Sequence, residues 1–383
     1  MRIGVDAREL EFNPHGVGRV LRNILNVWSE NPRKHRFVLY FKNTIPELDL
    51  LRAPAFEAKL ARLPAWLNRD RIWEQIRIPR FIGKDRIDVF FSPSYTIPLK
   101  TRCPTAVILH DISYQTHPEW FSFRQGLLYR RLTRWSVRRA EKIICCSDFT
   151  RREVLNHYGK NLEDKISTIY WAPQEHFRSG DADTRKSLLA STYQISQPFF
   201  LFVGTLFQRR NVPLLLQAFK RVLQNHPDHL LVLVGANTAG PGNQGHALAS
   251  CLDQLNLRGQ VRHFEYLQDG DLAAFYQETR GLVYPSIYEG FGLPVIEAMA
   301  CGAPVVIPNS QAVAEIADGA AMIVDPLNEK TLAEAMSAVV EDQDLRRELI
   351  EKGSARVGKL SWRQTASTIL NLLEEAGNRA GSR

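Results

Sequence analysis

Between Gly281 and Ile307 the chain reads strand, glycine loop, short helix, strand, and few folds accept that order. Gly281-Leu-Val-Tyr284 is an apolar run of strand type that Pro285 and Ser286 break. A loop carrying Glu289, Gly290, Phe291 and Gly292 follows. Pro294 suits the first position of a helix, where its missing N–H costs nothing and its φ is preset. Gly302 is placed to end that helix in a left-handed cap, and Pro304 prevents its continuation. Val305-Val306-Ile307 is the next strand. A strand that passes through a helix to another strand points to a parallel sheet covered by helices.

The same stretch carries chemistry. The leading N–H groups of residues 291 to 293 point out of the helix start, where partial positive charge favours phosphate. Glu297 sits about one turn inside the helix, and its carboxylate can accept two hydrogen bonds from a ribose diol. Glu289 lies in the loop, on the near side of a phosphate held there. One short segment can thus hold a nucleoside diphosphate and set a second carboxylate beside its cargo.

The alternation runs through the whole chain. Ile3–Val5, Phe37–Phe41, Asp88–Phe91, Ala106–Leu109, Lys142–Cys145 and Ile166–Ile169 read as strands of a first half. A helix from about Gly18 to Ser29 falls among them, and Ser147 with Asp148 resembles a helix N-cap. A polar stretch of poor periodicity follows. The pattern restarts with Phe199–Val203, Leu230–Val234 and Val261–Phe264, then the Gly281 segment and Met322–Val324. The expected organisation is an α/β chain with two doubly wound domains, residues 1–180 and 198–360, joined by a linker over 181–197. A terminal helix over 361–383 is free to cross back to the first domain. Ligands of such sheets bind beyond the carboxyl ends of the strands, so the expected site is a cleft between the halves.

Three further strand-end loops carry candidate groups. Pro14-His15-Gly16-Val17-Gly18-Arg19 lets backbone approach a ligand closely. By itself it also reads as a turn serving geometry alone. His110-Asp111 follows a buried strand, where functional groups collect, though a capping Asp beside a hydrogen-bonded His fits equally. Gly204 to Asn211 carries Arg209 and Arg210 near a helix start. Arg is a fixed-fork, always-charged donor suited to diphosphate; a pair of surface arginines is the alternative.

Charge and cysteines limit the partners. Residues 1–180 hold 31 Lys+Arg and 19 Asp+Glu, a net of +12, which leaves 49 − 31 = 18 basic and 41 − 19 = 22 acidic residues, a net of −4. The basic half suits an anionic lipid surface or an anionic acceptor, and equally a solvated surface. No recognition module for nucleic acid appears. Cys103, Cys145, Cys146, Cys251 and Cys301 are odd in number and form no Cys-x-x-Cys pair, which speaks against a disulfide framework or zinc site and for a reducing compartment. Without a signal-peptide pattern or an apolar run of about 20 residues, a cytoplasmic protein is expected.

Within Phe123–Lys142, Leu128, Leu132 and Trp135 share a helical face with arginines beside it. The favoured expectation is a core-facing helix with a solvated basic side. The other is a helix lying peripherally on the anionic inner face of a membrane.

Taken together, these residues resemble the retaining, nucleotide-sugar-dependent glycosyltransferases of the GT-B fold, family 4 (glycosyl transferases group 1). Glu289-x7-Glu297 within Glu-Gly-Phe-Gly-Leu-Pro-Val-Ile-Glu-Ala-Met-Ala-Cys-Gly carries the resemblance. Gly204-Thr-Leu with Arg209-Arg-Asn211, Tyr266–Asp269, His110-Asp111, Trp73–Pro79 and Ser147–Thr150 extend it. The resemblance implies that Glu297 binds the donor ribose and that Glu289 contacts the transferred sugar. It implies that Phe291, Gly292 and Leu293 supply amides to phosphates and sugar hydroxyls, and that Arg209 and Arg210 meet the diphosphate. Arg210 stands where the family usually has Lys. His110 matches a histidine at the sugar's distal hydroxyl. Gly16 matches a glycine near the β-phosphate, although His15 replaces the family's frequent first glycine. The implied reaction moves a hexose, with mannosyl from GDP-mannose as one such donor, to a hydroxyl of a glycan, a lipid-linked glycan or a small molecule. Polysaccharide biosynthesis is the implied setting. No metal and no cofactor beyond the nucleotide-sugar co-substrate are implied.

Other readings are weaker. A glycosidase pair at Glu289 and Glu297 requires carboxylates facing each other across about 5–9 Å, which one loop residue and one helix residue flanking an anion site do not suggest. Asp181-Ala-Asp183 and Asp269-Gly-Asp271 match an Asp-x-Asp metal pattern, but the first falls in the expected linker and the other fits a turn and N-cap. A non-catalytic sugar-nucleotide-binding protein is the alternative of a different class.

Overall fold

The computed structural model describes residues 1–11, 16–178, 182–237, 248–325 and 327–381. Pro14 and His15 of the first glycine loop and Asp181 of the first Asp-x-Asp pattern lie outside these residues. The chain divides into two units. The first comprises Met1–Thr116, Arg124–Trp171 and Ser361–Arg383, and the second His117–Phe123 and Ala172–Leu360.

Among the described residues the first unit holds seven parallel strands: β1 (Arg2–Asp6), β2 (Arg36–Phe41), β3 (Phe56–Leu60), β4 (Val89–Ser92), β5 (Thr105–Leu109), β6 (Lys142–Cys145) and β7 (Ile166–Thr168). Their spatial order is β3-β2-β1-β4-β5-β6-β7. β4, β5 and β6 are buried along their whole length, as the predominantly apolar central strands of a sheet covered on both faces should be. β3 is the strand absent from the sequence expectation. Its sequence, Phe-Glu-Ala-Lys-Leu, alternates charge with apolar groups because it forms the edge of the sheet, pairing only with β2.

The helix Val17–Glu30 buries Val20, Leu21, Ile24, Leu25 and Trp28, the spacing of one helical face. Trp28 stacks on Phe37 of β2 (5.1 Å) and donates its indole N–H to the carbonyl of Ala366 (2.9 Å). Ala366 belongs to the terminal helix Trp362–Gly381, which is part of this first unit.

The second unit holds β8 (Phe199–Val203), β9 (Leu230–Val234), β10 (Val261–Phe264), β11 (Gly281–Val283), β12 (Val305–Pro308) and β13 (Met322–Val324), all parallel, in the order β10-β9-β8-β11-β12-β13. In both units the strand order reverses beside the first strand, between β1 and β4 and between β8 and β11. Those reversals are the topological switch points where open α/β sheets bind ligands. Gly235, after β9, has φ +146°, and a Cβ there would meet the carbonyl oxygen of Gly204 at 2.1 Å. The loop after β8 can therefore cross close over β9 only because this residue is glycine.

Two sequence expectations need correction here. The segment expected as a linker over 181–197 contains a helix, Ala182–Tyr193, anchored in the second unit. Arg185 pairs with Glu278 (3.1 Å), and Tyr193 donates to Asp271 (2.6 Å) while its ring edges Phe264 and Phe275. Few apolar anchors suffice because polar side chains supply the rest, so the helix leaves no clear period in the sequence. Asp269 and Asp271 lie inside the first turn of the helix Asp269–Glu278, whose N-cap is Gln268.

The helix Phe123–Arg139 overturns the core-facing expectation. It buries Gly126, Thr133, Ser136 and Val137, whereas Leu128 and Trp135 are exposed. Ser147 caps the helix Asp148–Tyr158 as expected, accepting from the N–H of Thr150 (3.1 Å).

Candidate active site

At the switch point of the second unit, two loops meet. One follows β8 and carries Arg209 and Arg210. The other follows β11 and runs from Tyr284 to Gly292. They are tied by backbone, the N–H of Ile287 donating to the carbonyl of Arg209 (2.9 Å). Asn211, in left-handed conformation (φ +55°), turns the first loop into the helix Val212–Val222.

Arg210 reaches across this junction. Its guanidinium pairs with the carboxylate of Glu289, contacts the hydroxyl of Tyr284, and lies over the Tyr284 ring at 5.0 Å. Glu289 is 8% exposed, and its Oε1 also accepts from Ser286 Oγ (2.6 Å). A carboxylate so nearly removed from water finds in these charged and hydroxyl partners the contacts that water would otherwise supply. Arg209 stands beside them, its guanidinium 5.7 Å from the ring centre of Phe207.

Gly292 caps the helix Leu293–Ala300 with φ +97°, a conformation that disfavours a side chain, and a Cβ there would lie 2.8 Å from Val313. Val295 N–H returns to the Gly292 carbonyl (3.0 Å), and Pro294 sits in the first turn. Phe291 is buried and Leu293 half-buried. Gly302 closes the far end with φ +75°, as expected. Glu297, 2% exposed, accepts from the hydroxyl of Tyr276 (3.1 Å). Behind it, burial first and the Glu297 charge second push the Cys301 thiol up, so it remains a donor, to the carbonyl of Phe177 (3.1 Å). Glu289 is thus held by Arg210 and Ser286, and Glu297 accepts from Tyr276.

Within the first unit, Gly16 caps the helix Val17–Glu30 with φ +48°, and among the described residues nothing lies within 4 Å of where its Cβ would stand. His110 follows β5. Its Nε2–H donates to the carbonyl of Pro93 (2.8 Å), which leaves Nδ1 as the acceptor nitrogen of a neutral ring. Burial lowers the imidazole pKa below its ordinary 6.5, so the neutral form prevails at neutral pH. Tyr95 and Trp171 flank the ring at 5.8 and 6.0 Å. Asp111 caps the turn that follows, accepting from Ser113 N–H (2.9 Å) and Oγ (2.7 Å).

Sequence reading did not find a buried ionic network at the end of β1. Arg8 Nη2 lies 2.9 Å from Asp6 Oδ2 and 3.0 Å from Glu74 Oε2. Glu74 also accepts from Arg71 (3.2 Å) and Thr96 (2.9 Å). Arg71 in turn covers the ring of Tyr129 (4.6 Å). Asp6-Ala-Arg8 at a strand's carboxyl end was the available signal. Tyr276 and Ser286, the hydroxyl partners of the two glutamates, were missed as well, and Tyr276 lies too far along the chain for any local spacing to reveal it.

Among the described residues no cluster of three or more His, Cys, Asp or Glu side chains is arranged to hold a metal ion, and the five cysteines form no disulfide.

Two doubly wound units of this kind make up the GT-B fold. The structure is similar to WaaG, a glycosyltransferase involved in lipopolysaccharide biosynthesis (TM-score 0.76, 15% identity, 97% of this chain and 99% of that one). It is also similar to sucrose-phosphate synthase from Thermosynechococcus elongatus (TM-score 0.80, 17% identity, 98% of each chain). A third likeness is to Anabaena HepE in complex with UDP-glucose (TM-score 0.78, 16% identity, 98% of this chain and 99% of that one). Residues 191–356 match the family Glycosyl transferases group 1, and residues 14–172 match Glycosyltransferase Family 4. The chain belongs to the group 1 glycosyltransferases of the GT-B fold. Among its relatives are the O-antigen chain mannosyltransferase B of Escherichia coli (27% identity, 74% of this chain and 73% of the relative) and the O-antigen chain mannosyltransferase RfbU of Salmonella typhimurium (27%, 70% and 68%).

Proposed function

We propose that the protein transfers a hexose from a nucleoside-diphosphate sugar to a hydroxyl of a glycan or lipid-linked glycan, retaining the anomeric configuration and requiring no metal. Mannosyl from GDP-mannose is the donor we favour, because both O-antigen relatives are mannosyltransferases by name. The relatives' setting also supports a role in polysaccharide biosynthesis, and unbridged cysteines support a cytoplasmic site of work.

The observation that carries this reading is the Arg210–Glu289 pair at the switch point, beside the start of the helix Leu293–Ala300. A diphosphate brought to that place meets Arg209, Arg210 and the N-terminal end of the helix, three sources of positive charge fixed before the reaction. As the bond to the sugar breaks, negative charge grows on the leaving phosphate oxygen, and these groups stabilise it without reorganising. Arg210 then shares its guanidinium between phosphate and Glu289, and the carboxylate turns to hydroxyls of the transferred sugar. Glu297 takes the ribose diol, with Tyr276 fixing its orientation. Neutral His110 offers Nδ1 to a sugar hydroxyl. The acceptor oxygen attacks from the face the diphosphate leaves, and its proton passes to the departing phosphate. No protein nucleophile is required.

The test is a donor panel with release of nucleoside diphosphate as the readout, in the presence of an excess of chelator. GDP-mannose should be consumed, and the anomeric proton coupling of the product should match the donor's. An inverted product, turnover that returns only with a divalent cation, or nucleotide binding without turnover on any acceptor mixture would each overturn the corresponding part.

A further inference from the structure

The helix Phe123–Arg139 is amphipathic in reverse. Its buried face is Gly126, Thr133, Ser136 and Val137, while Phe123, Leu128 and Trp135 are exposed and Leu127 and Leu132 half-buried. Trp135 is 61% exposed, Leu128 44%, and Phe123, the first residue, 78%. Leu128 and Trp135 are seven residues apart, so they stand within about 20° of each other around the helix axis. Arg124, Arg131, Arg134 and Arg138 are exposed along one side of this apolar stripe, and Arg139 stands close to it on the other. The helix contains no Asp or Glu.

We propose that this face is a docking surface for an anionic lipid bilayer. An amphipathic helix lying in the interface buries apolar side chains among the acyl chains and sets cations against the headgroups. Trp suits the boundary, with an apolar ring and one N–H donor. Arg can lay its stem along the apolar stripe while its guanidinium stays at headgroup level. Charge complementarity favours lipid over a second copy of the chain, since two such faces would bring arginine against arginine. It favours lipid over nucleic acid as well, because a phosphate backbone would match the arginines and leave Leu128 and Trp135 wet. The excess of 31 basic over 19 acidic residues in residues 1–180 adds long-range attraction to the same kind of surface. Among the described residues no helix is long and apolar enough to cross a membrane, so attachment through this face would be peripheral. The surface is independent of the donor site, so its failure would leave the transferase reading untouched.

The experiment is vesicle co-sedimentation of the full chain with phosphatidylglycerol-containing and pure phosphatidylcholine liposomes. Binding to the anionic vesicles only, weakened by salt, is expected. R131Q/R138Q should reduce partitioning about 25-fold, five-fold for each charge removed, and L128S/W135S should reduce it at least as much. All four side chains are exposed or lie on the exposed face, so the melting temperature should not change; an unchanged melt assigns lost binding to the surface. No sedimentation with anionic vesicles, or double variants that sediment like the parent protein, would overturn the proposal. So would a concentration-dependent dimer in sedimentation velocity that the same variants abolish, or tighter binding to a single-stranded oligonucleotide than to the vesicles.

Discussion

Arg210 and Glu289 lie 79 residues apart in sequence, yet the guanidinium of one pairs with the carboxylate of the other above the carboxyl ends of β8 and β11. Each holds the other's charge in a place with little water. On the proposed reading, a diphosphate arriving at Arg210 alters the environment of Glu289, and ground-state pairing and leaving-group stabilisation involve the same guanidinium.

Replacement of Arg210 should separate these functions. On the proposed reading, Arg210→Ala lowers kcat by about 10²–10³-fold, the cost of removing one fixed donor from developing negative charge. Arg210→Lys should recover only part of it, because Lys keeps the charge and loses the planar guanidinium that pairs with Glu289 and lies over the Tyr284 ring. Glu289→Ala should reduce turnover more than affinity for free nucleoside diphosphate. Steady-state kinetics with nucleotide titration calorimetry gives both quantities. Equal loss of nucleotide affinity in Glu289→Ala would remove its assignment to the sugar.

Glu297 should behave differently. A buried carboxylate that takes a ribose diol contributes about 1.5–3 kcal/mol, so Glu297→Ala should weaken free-nucleotide binding roughly 10- to 100-fold. Tyr276→Phe removes only the orienting hydroxyl, and should cost a smaller factor in the same direction. A 2′,3′-dideoxy nucleotide provides the check. It should bind the parent protein weakly and Glu297→Ala no more weakly than the normal nucleotide does. Unchanged calorimetric affinity in Glu297→Ala would refute the ribose role.

His110 predicts a pH profile. Burial lowers its pKa below 6.5, and the bond to Pro93 only partly opposes this. If the neutral ring is the working form, kcat/KM should stay level as pH falls from about 8 through the ordinary imidazole range, and decline only below it. In His110→Gln the profile should lose that lower limb. An inflection above 6.5 that disappears in His110→Gln would show that the ring works in another state.

Much of this site was legible because strand ends mark it. The glycine loop, Pro294 and Gly302 punctuate the backbone by their own stereochemistry, so the helix Leu293–Ala300 and its caps follow from local sequence. All six strands of the second sheet could be read directly, although β10, Val-Arg-His-Phe, is not an apolar run like the other five. What escaped depends on tertiary context. β3 is an edge strand with charges on it. The helix Ala182–Tyr193 is anchored through Arg185, Leu189 and Tyr193 rather than a continuous apolar face. The apolar stripe of Phe123–Arg139 is visible in sequence, but no periodicity can tell a stripe facing the core from one facing solvent. Tyr276 and the Arg8–Glu74 contact join segments whose proximity only the fold creates.

The terminal helix offers a stability test confined to the first unit. Trp28 donates to Ala366, Thr365 donates to the carbonyl of Tyr170 (2.7 Å), and Lys142 pairs with Glu375 (2.6 Å). Ala366, Ile369, Leu370 and Leu373 are buried against this unit. Removing residues 361–383 would expose that face and Trp28 together. Each buried Leu or Ile side chain contributes about 1.5–3 kcal/mol, which in sum rivals the ~5–15 kcal/mol stability of a whole domain. The truncated chain should lose protection from hydrogen exchange in β1 and β2, with β8 and β9 largely unchanged. Equal protection in all four strands would show that the helix is dispensable for the first sheet.

Asp6 gives the clearest pH dependence of stability. Burial pushes its pKa from the ordinary 3.8 up to about 6, while Arg8 restrains the rise and Glu74 adds to it. Between those two values the folded chain binds more protons than the unfolded one, so this residue's contribution to stability falls as pH rises through that window, and is level above it. A shift of this size corresponds to at most about 3 kcal/mol. Asp6→Asn carries no such charge. Its stability relative to the parent protein should therefore improve steadily from about pH 4 to about pH 6.5, and then hold constant. The lost Asp6–Arg8 contact appears as a fixed offset, which separates it from the slope, and taking the difference at each pH removes the contribution of every other carboxylate. Hydrogen exchange at β1 amides, corrected for intrinsic rates, reads the opening free energy where Asp6 sits. A variant-minus-parent difference that stays flat across the window, or falls, would mean that Asp6 is ionised in the folded protein at a normal carboxylate pH, with Arg8 outweighing burial.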